Sequence, residues 1–214
     1  MSKKILGILN YGAGNFGSVK RAVESLDVEP VTVSSPDELD QITHLIFPGV
    51  GSAEQAMREL RSRGLDRALI DYAHSGRLLL GICVGMQVLG RASAEGNTEC
   101  LGLLPYTIEK FRCAEPIPHM GWNSLVWQHS HSGFAEAAKS LGDETNFYFV
   151  HSYAAFLNGK EQQDSFLLAS AKYGSARFAA IVADKNIWGA QCHLEKSGRA
   201  GLLLLNNFLN QRTV

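Results

Sequence analysis

The chemically suggestive stretch of this chain is G-I-C-V-G at 81–85, a cysteine between two glycines, where the apolar run 78–82 gives way to a helix-period segment. G-x-C-x-G has the shape of a nucleophile elbow. A sharp strand-to-helix turn pushes the middle side chain outward, and the flanking glycines relieve the crowding. At a helix N-terminus, the macrodipole and free N–H groups favour thiolate over thiol, the nucleophilic form of Cys83. The N–H of Val84, next in the chain, is placed to hold an oxyanion. The same run would also suit an inert core thiol, because free cysteine is among the most buried residue types. The stretch alone leaves both readings open.

A thiol nucleophile needs a base. Q-C-H-L-E-K-S at 191–197 supplies His193 and Glu195 two residues apart, which on extended backbone sets both side chains to one side. The imidazole takes the thiol proton while the carboxylate fixes its tautomer and orientation. The other histidines are His44, His74, His119, His129, His131 and His151. None of them has a carboxylate at this spacing on a strand-like end, and His74 reads as a solvated helix end. Cys192 beside His193, and the H-S-H at 129–131, lack the paired spacing of zinc ligands. No metal is expected.

Regular elements must carry these groups. Apolar runs at 4–9, 44–47 and 78–82 alternate with helix-period segments at 18–26, 53–62 and 65–74, the rhythm of βαβ units on a parallel sheet. Ser52 and Gln55 match a capping box for the second helix, Ala56, Met57 and Leu60 form its apolar stripe, and Gly64 can close it. From about residue 100 the pattern shifts to strand-like pieces at 106–111, 146–153, 166–171 and 178–192, then a helix near 198–210. This half looks α+β, with 129–145 its least structured part. One domain over 1–214 is expected.

The 214 residues are 45% hydrophobic and 19% charged, an ordinary soluble composition with a formal charge of -1. That balance offers no global basic field for nucleic acid or an anionic membrane. The apolar run in the opening M-S-K-K-I-L-G-I-L is too short for a signal peptide and reads as a buried first strand. Four cysteines without a C-x-x-C pair favour a reduced, cytoplasmic setting with no disulfide. G-A-G-N-F-G at 12–17 satisfies G-x-G-x-x-G, yet the second strand near 31–33 ends in Ser34 and Ser35, where an acidic residue should grip a ribose. A tight glycine turn or a partner-facing turn explains it better than a nucleotide cradle.

Taken together, G-I-C-V-G-M-Q, H-x-E and P-G-V-G at 48–51 resemble the class I (triad) glutamine amidotransferases. N-Y-G-A-G-N at 10–15, P-H-M-G-W-N at 118–123, F-Y-F-V-H-S-Y at 147–153 and H-L-E-K-S at 193–197 extend the likeness, in order, to the glutaminase subunits of imidazole glycerol phosphate synthases. The resemblance implies an α/β fold with a mixed, mostly parallel central sheet flanked by helices. It implies Cys83, His193 and Glu195 as catalytic triad and an oxyanion site at Val84 with Val50 and Gly51. Gln87, His151, Ser152 and Tyr153 would contact L-glutamine. No cofactor is implied. The partner implied is a (β/α)8-barrel cyclase subunit, faced by Asn10, Tyr11, Asn15, Trp122 and Lys196. For Trp122 a core aromatic, and for Lys196 a solvated charge, are competing readings. The family usually shows H-P-E-K-S after an aromatic residue, whereas here Cys192 precedes His193 and Leu194 replaces the proline, freeing the backbone between base and orienter. Two other readings share these motifs: a related glutaminase feeding ammonia to a surface-sugar amidotransferase, and a triad cysteine hydrolase with no ammonia client.

Overall fold

The computed structural model describes residues 4–12, 15–128, 141, 145–157 and 165–212. The first half runs β1 (Leu6–Leu9), α1 (Phe16–Glu24), β2 (Val31–Val33), β3 (His44–Gly49), α2 (Ala53–Ser62), α3 (Leu65–His74), β4 (Leu78–Cys83) and α4 (Val84–Leu89). Short strands β5 (Ala92–Ser93), β6 (Thr98–Glu99) and β7 (Thr107–Lys110) follow, then β8 (His119–Ser124), β9 (Val126–Trp127), β10 (Asn146–His151) and β11 (Tyr153–Ala154). The chain ends through β12 (Leu167–Tyr173), β13 (Ala176–Asp184), β14 (Ile187–Ala190) and α5 (Gly198–Leu209).

An eight-stranded sheet in the order β2-β1-β3-β4-β14-β13-β12-β9 forms the centre. From β2 to β14 the neighbours are parallel, and from β14 to β9 antiparallel. β1, β3 and β4 are buried along their whole length, which is why they read as unbroken apolar runs rather than alternating ones. β8 and β10 pair as a separate antiparallel ribbon, and there burial alternates along β8. The remaining strands form a small sheet, β11-β7-β5-β6.

The α2 cap forms as its sequence predicts: the Ser52 side chain accepts from the Gln55 N–H at 3.1 Å, and Ala56, Met57 and Leu60 face the core. Gly64, with φ at +67°, separates α2 from α3. His74 is the exposed last residue of α3. Two expectations are corrected. The first helix begins at Phe16 and ends at Glu24 rather than spanning 18–26. The piece at 178–192 is two strands, β13 and β14, because Asp184 pairs with Ile187 across a turn in which Lys185 takes φ +52°. The Asn186 amide anchors that turn by donating to the carbonyls of Ala73 and Arg77 at 2.7 and 2.8 Å. The second half has the α+β character its pattern suggests: β9 and β12 to β14 extend the central sheet as antiparallel strands and α5 follows them. Of 129–145, residues 129–140 and 142–144 lie outside the described residues.

Backbone packing is very close where α4 leaves β4. A Cβ on Gly85 would overlap the carbonyl oxygen of Phe47, and one on Gly81 would lie 2.7 Å from backbone atoms of Gly85 and Met86. Neither neighbour is a flexible side chain, so nothing can move aside cheaply. Gly85→Ala should therefore destabilise the fold by about 3 kcal/mol or more, at the upper end of overpacking costs, read from denaturant unfolding.

Candidate active site

Three adjacent parallel strands end at one edge of the sheet, and each delivers a different part of the site. Gly49 at the end of β3 pairs with Cys83 at the end of β4, and Ala190 at the end of β14 pairs with Ile82. Beyond β3 lie Val50 and Gly51; beyond β14 lie Gln191 and His193. The carboxyl ends of parallel strands are where open α/β sheets place their ligands.

Cys83 takes φ 55° and ψ -111°, a strained conformation for a residue with a Cβ, which turns its side chain off the strand axis before α4 begins. Its surface is only 3% exposed, so the expectation of an exposed nucleophile is corrected: the sulfur lies at the wall of a cleft rather than on the outer surface. That cavity, of about 290 Å³, is lined by Val50, Gly51, Cys83, Val84, Gln87, Glu95, Pro118, Val150, His151, Ser152, Tyr153 and His193. All seven of the expected oxyanion and substrate residues contribute to this wall.

His193 Nδ1 lies 2.7 Å from Glu195 Oε1, and the same carboxylate oxygen accepts from the Asn15 amide at 2.9 Å. A carboxylate oxygen that accepts from Asn15 faces a donor on the ring as well, so His193 keeps a proton on Nδ1 and Nε2 is the nitrogen that can gain and lose the second. Nε2 is buried without a hydrogen-bond partner. Burial works against the imidazolium, but the neighbouring Cys83 and Glu195 outweigh it and push the His193 pKa up to about 10. The spacing argument reached the right contact by the wrong backbone. His193 is extended, but Leu194–Lys196 forms a 3-10 turn, and it is the turn that brings Glu195 back to the ring. Leu194 opens that turn as a fully buried side chain, at a position where proline is also at home. Cys192 is fully buried too, and burial holds its thiol protonated.

The wall around Gln87 and His151 is tied together by hydrogen bonds. Gln87 and His151 both donate to the Tyr153 carbonyl, at 2.9 and 2.8 Å. His151 Nε2 must then accept, from His119 Nδ1 at 3.0 Å. Burial lowers both rings, to about 3 for His151 and about 4 for His119, so this pair is neutral. Sequence reasoning missed two residues here. Glu95 lines the cavity and accepts from the Ala53 N–H at 2.8 Å. Gln191 reaches the Cys83 sulfur at 3.8 Å. Nothing in the local sequence pattern marks Gln191; only its tertiary contacts with Cys83 and Gln87 do.

The expected partner-facing residues divide. Trp122 is 59% exposed, which removes the core reading, and stands edge-on to Tyr148 with ring centroids 5.9 Å apart. The exposed Lys196 ammonium lies 5.7 Å from the same Tyr148 ring. Asn10 is half-buried. Tyr11 is corrected: it has no exposed surface, and its ring packs edge-on against Phe47 at 5.4 Å, so it belongs to the core. The Asn15 amide turns inward to Glu195. In the glycine turn, residues 13 and 14 lie outside the described residues.

Residues 7–211 match the family model described as glutamine amidotransferase class-I. The chain is 43% identical over 205 residues to the imidazole glycerol phosphate synthase subunit HisH of Desulfitobacterium hafniense (strain DSM 10664 / DCB-2), covering 95% of this chain and 93% of the relative. It belongs to the class I glutamine amidotransferases, in the HisH family. The HisH of Bacillus velezensis (strain DSM 23117 / BGSC 10A6 / LMG 26770 / FZB42) is 40% identical over 211 residues, covering 95% of each chain. Among solved structures, PurLQS from Thermotoga maritima superposes with a TM-score of 0.75 at 20% identity, over 97% of this chain and 98% of that one, a likeness of fold. The amidotransferase is thus a glutamine-hydrolysing enzyme with a cysteine, a histidine and a glutamate gathered at one sheet edge.

Because the His193 pKa lies above its ordinary 6.5, the imidazolium stabilises the fold fully below about pH 6.5, and that contribution is lost as pH rises through about 10. Glu195→Gln should flatten the decline of thermal stability between pH 7 and 10 and lower kcat by about 10²- to 10⁴-fold, measured by melting curves and glutamate release.

Proposed function

We propose that this amidotransferase is the glutaminase subunit of an imidazole glycerol phosphate synthase, releasing ammonia from L-glutamine for a (β/α)8-barrel cyclase subunit in histidine biosynthesis. The observation that carries the reading is the Glu195–His193 hydrogen bond behind a cleft that both His193 and Cys83 line, in a chain so similar along its length to HisH relatives.

In this reading Cys83, as thiolate, attacks the side-chain amide carbon of glutamine. The tetrahedral oxyanion is met by the Val84 N–H and by a backbone N–H from the Val50–Gly51 turn. The turn is suited to adjusting, because Gly51 sits at φ +86° and both residues are exposed. His193 delivers its Nε2 proton to the leaving nitrogen, and ammonia departs from a γ-glutamyl thioester. A water molecule then gives its proton to His193 and its oxygen to the acyl carbon, which frees glutamate and restores the thiolate. Glu195 holds the ring in the tautomer both steps need. Gln87, His151, Ser152 and Tyr153 form the wall against which glutamine is oriented.

For the partner surface we nominate Trp122 and Lys196, with Asn10 and Asn15 near its border. The support is an exposed aromatic on a two-stranded ribbon, with an exposed cation against the same Tyr148 ring, an arrangement that suits a docking anchor. Four unpaired thiols fit a reducing, cytoplasmic compartment.

Cys83→Ala should abolish glutamine-dependent cyclase product while leaving ammonia-dependent product intact when the variant is paired with a cognate cyclase. Glutamate release that persists in this variant would overturn the mechanism, and glutaminase activity indifferent to any cyclase would overturn the assignment of client. Trp122→Ala should weaken association with that cyclase by about 2 kcal/mol, roughly 30-fold in Kd, measured by calorimetry.

A further inference from the structure

We propose that Gln191 holds the Cys83 sulfur as a thiolate, through an amide whose orientation is fixed from the glutamine-binding wall by Gln87. This rests on the triad reading above and adds a residue to it.

The orientation follows from counting donors. The Gln87 side-chain nitrogen donates to the Tyr153 carbonyl at 2.9 Å and lies 3.1 Å from Gln191 Oε1. A backbone carbonyl can only accept, so the end of Gln87 at that position is its NH₂. The Gln191 atom facing that NH₂ must accept, so it is the carbonyl oxygen. The other end of the Gln191 amide is then an NH₂, and it is this end that lies 3.8 Å from Cys83 Sγ. An NH₂ has no acceptor capacity. The sulfur is therefore met by a donor, a match for thiolate and a poorer one for thiol, whose own hydrogen must look elsewhere, toward the Val150 carbonyl 4.0 Å away.

The relay is also dry and held at both ends. Gln191 has no exposed surface and Gln87 only 2%. The backbone of Gln191 is pinned just past β14, where its N–H donates to the Ala180 carbonyl at 2.8 Å. A fixed dipole acts on a developing charge more strongly in such surroundings than in water. A neutral amide suits the place for a further reason: a cation there would compete with His193 for the thiolate, and a carboxylate would repel it.

The test is alkylation of Cys83 by iodoacetamide across pH 5–10, followed by mass spectrometry of the Cys83 peptide, so that the readout does not depend on glutamine turnover. Gln191→Met keeps the volume and removes the donor. It should slow alkylation at pH 7 about tenfold and raise the midpoint of the profile by about one pH unit, with rates converging above the midpoint. kcat for glutamine should fall by a similar factor with KM within about twofold. Gln87→Leu leaves Gln191 in place but frees its amide to rotate, and should move the midpoint the same way by less. A profile superimposable on that of the unmodified enzyme, or a slowing equal at every pH, would overturn the proposal by showing mere packing or mere access. Should Gln191→Met fail to fold, Gln87→Leu decides alone, an unmoved midpoint counting against the relay. Persistent alkylation chemistry without glutaminase activity would instead fault the triad reading.

Discussion

The close approach of α4 to the ends of β3 and β4 is the constraint on which everything else depends. Cys83 can adopt φ 55° only because the residues around it make room, and Gly49, Gly81 and Gly85 have no Cβ to collide with the backbone across the turn. Strain of this kind costs about 1–3 kcal/mol at a single residue and persists only where packing over-determines it. Here the over-determination is visible. Met86, Val88 and Leu89 are fully buried, and the Tyr106 hydroxyl donates to the Met86 carbonyl at 2.6 Å, tying the short helix to the loop before β7. A six-residue helix has little stability of its own, so it stands by these contacts.

Once the elbow is fixed, the register of the parallel sheet places the other groups. Neighbouring strands lie about 4.8 Å apart, so the ends of β3, β4 and β14 set the loop at Val50, the nucleophile and the base side by side with no long-range adjustment. What remains is to hold a proton in the right place. A buried His193 would ordinarily be neutral; the Glu195 carboxylate and the adjacent sulfur reverse that. Asn15 contributes from the N-cap of α1, where its side chain makes no capping bond. Asparagine is among the best capping residues, and a cap is worth about 1 kcal/mol, so the local helix forgoes that stabilisation while the amide engages the carboxylate.

The parts of the fold and site legible in the sequence were those set by local pattern. The buried parallel strands announce themselves as apolar runs, the α2 cap as Ser52 with Gln55, and the elbow as a glycine-flanked cysteine. His193 with Glu195 was legible from spacing alone, although the spacing succeeds through a 3-10 turn rather than the extended backbone that made it attractive. What local pattern does not carry is depth. Tyr11 and Trp122 are both aromatics in motif stretches, yet one is fully buried and the other 59% exposed, because Tyr11 follows a central strand and Trp122 lies on the outer face of a ribbon. The β13–β14 hairpin was missed for a related reason: both strands are buried and apolar, and only the polar turn at 184–186 separates them. Gln191 was passed over because a buried glutamine has no signature until its partners are known.

The ribbon of β8 and β10 joins the two halves of the site's physics. On its inner side the Tyr148 carbonyl accepts from the His193 N–H at 2.9 Å, and the Tyr148 N–H reaches the Ser197 hydroxyl at 3.0 Å, which in turn donates to the His193 carbonyl at 2.6 Å. The His193 N–H is thus held by Tyr148 of β10 directly, and its carbonyl by Ser197, which Tyr148 in turn anchors. On the outer side the ring of that same residue meets Trp122 and Lys196. Two-stranded ribbons are only marginally stable by themselves, so this one takes its position from what packs on either face. Trp122 and Met120 stand exposed on β8 of this ribbon, an apolar surface that burial in a complex would stabilise.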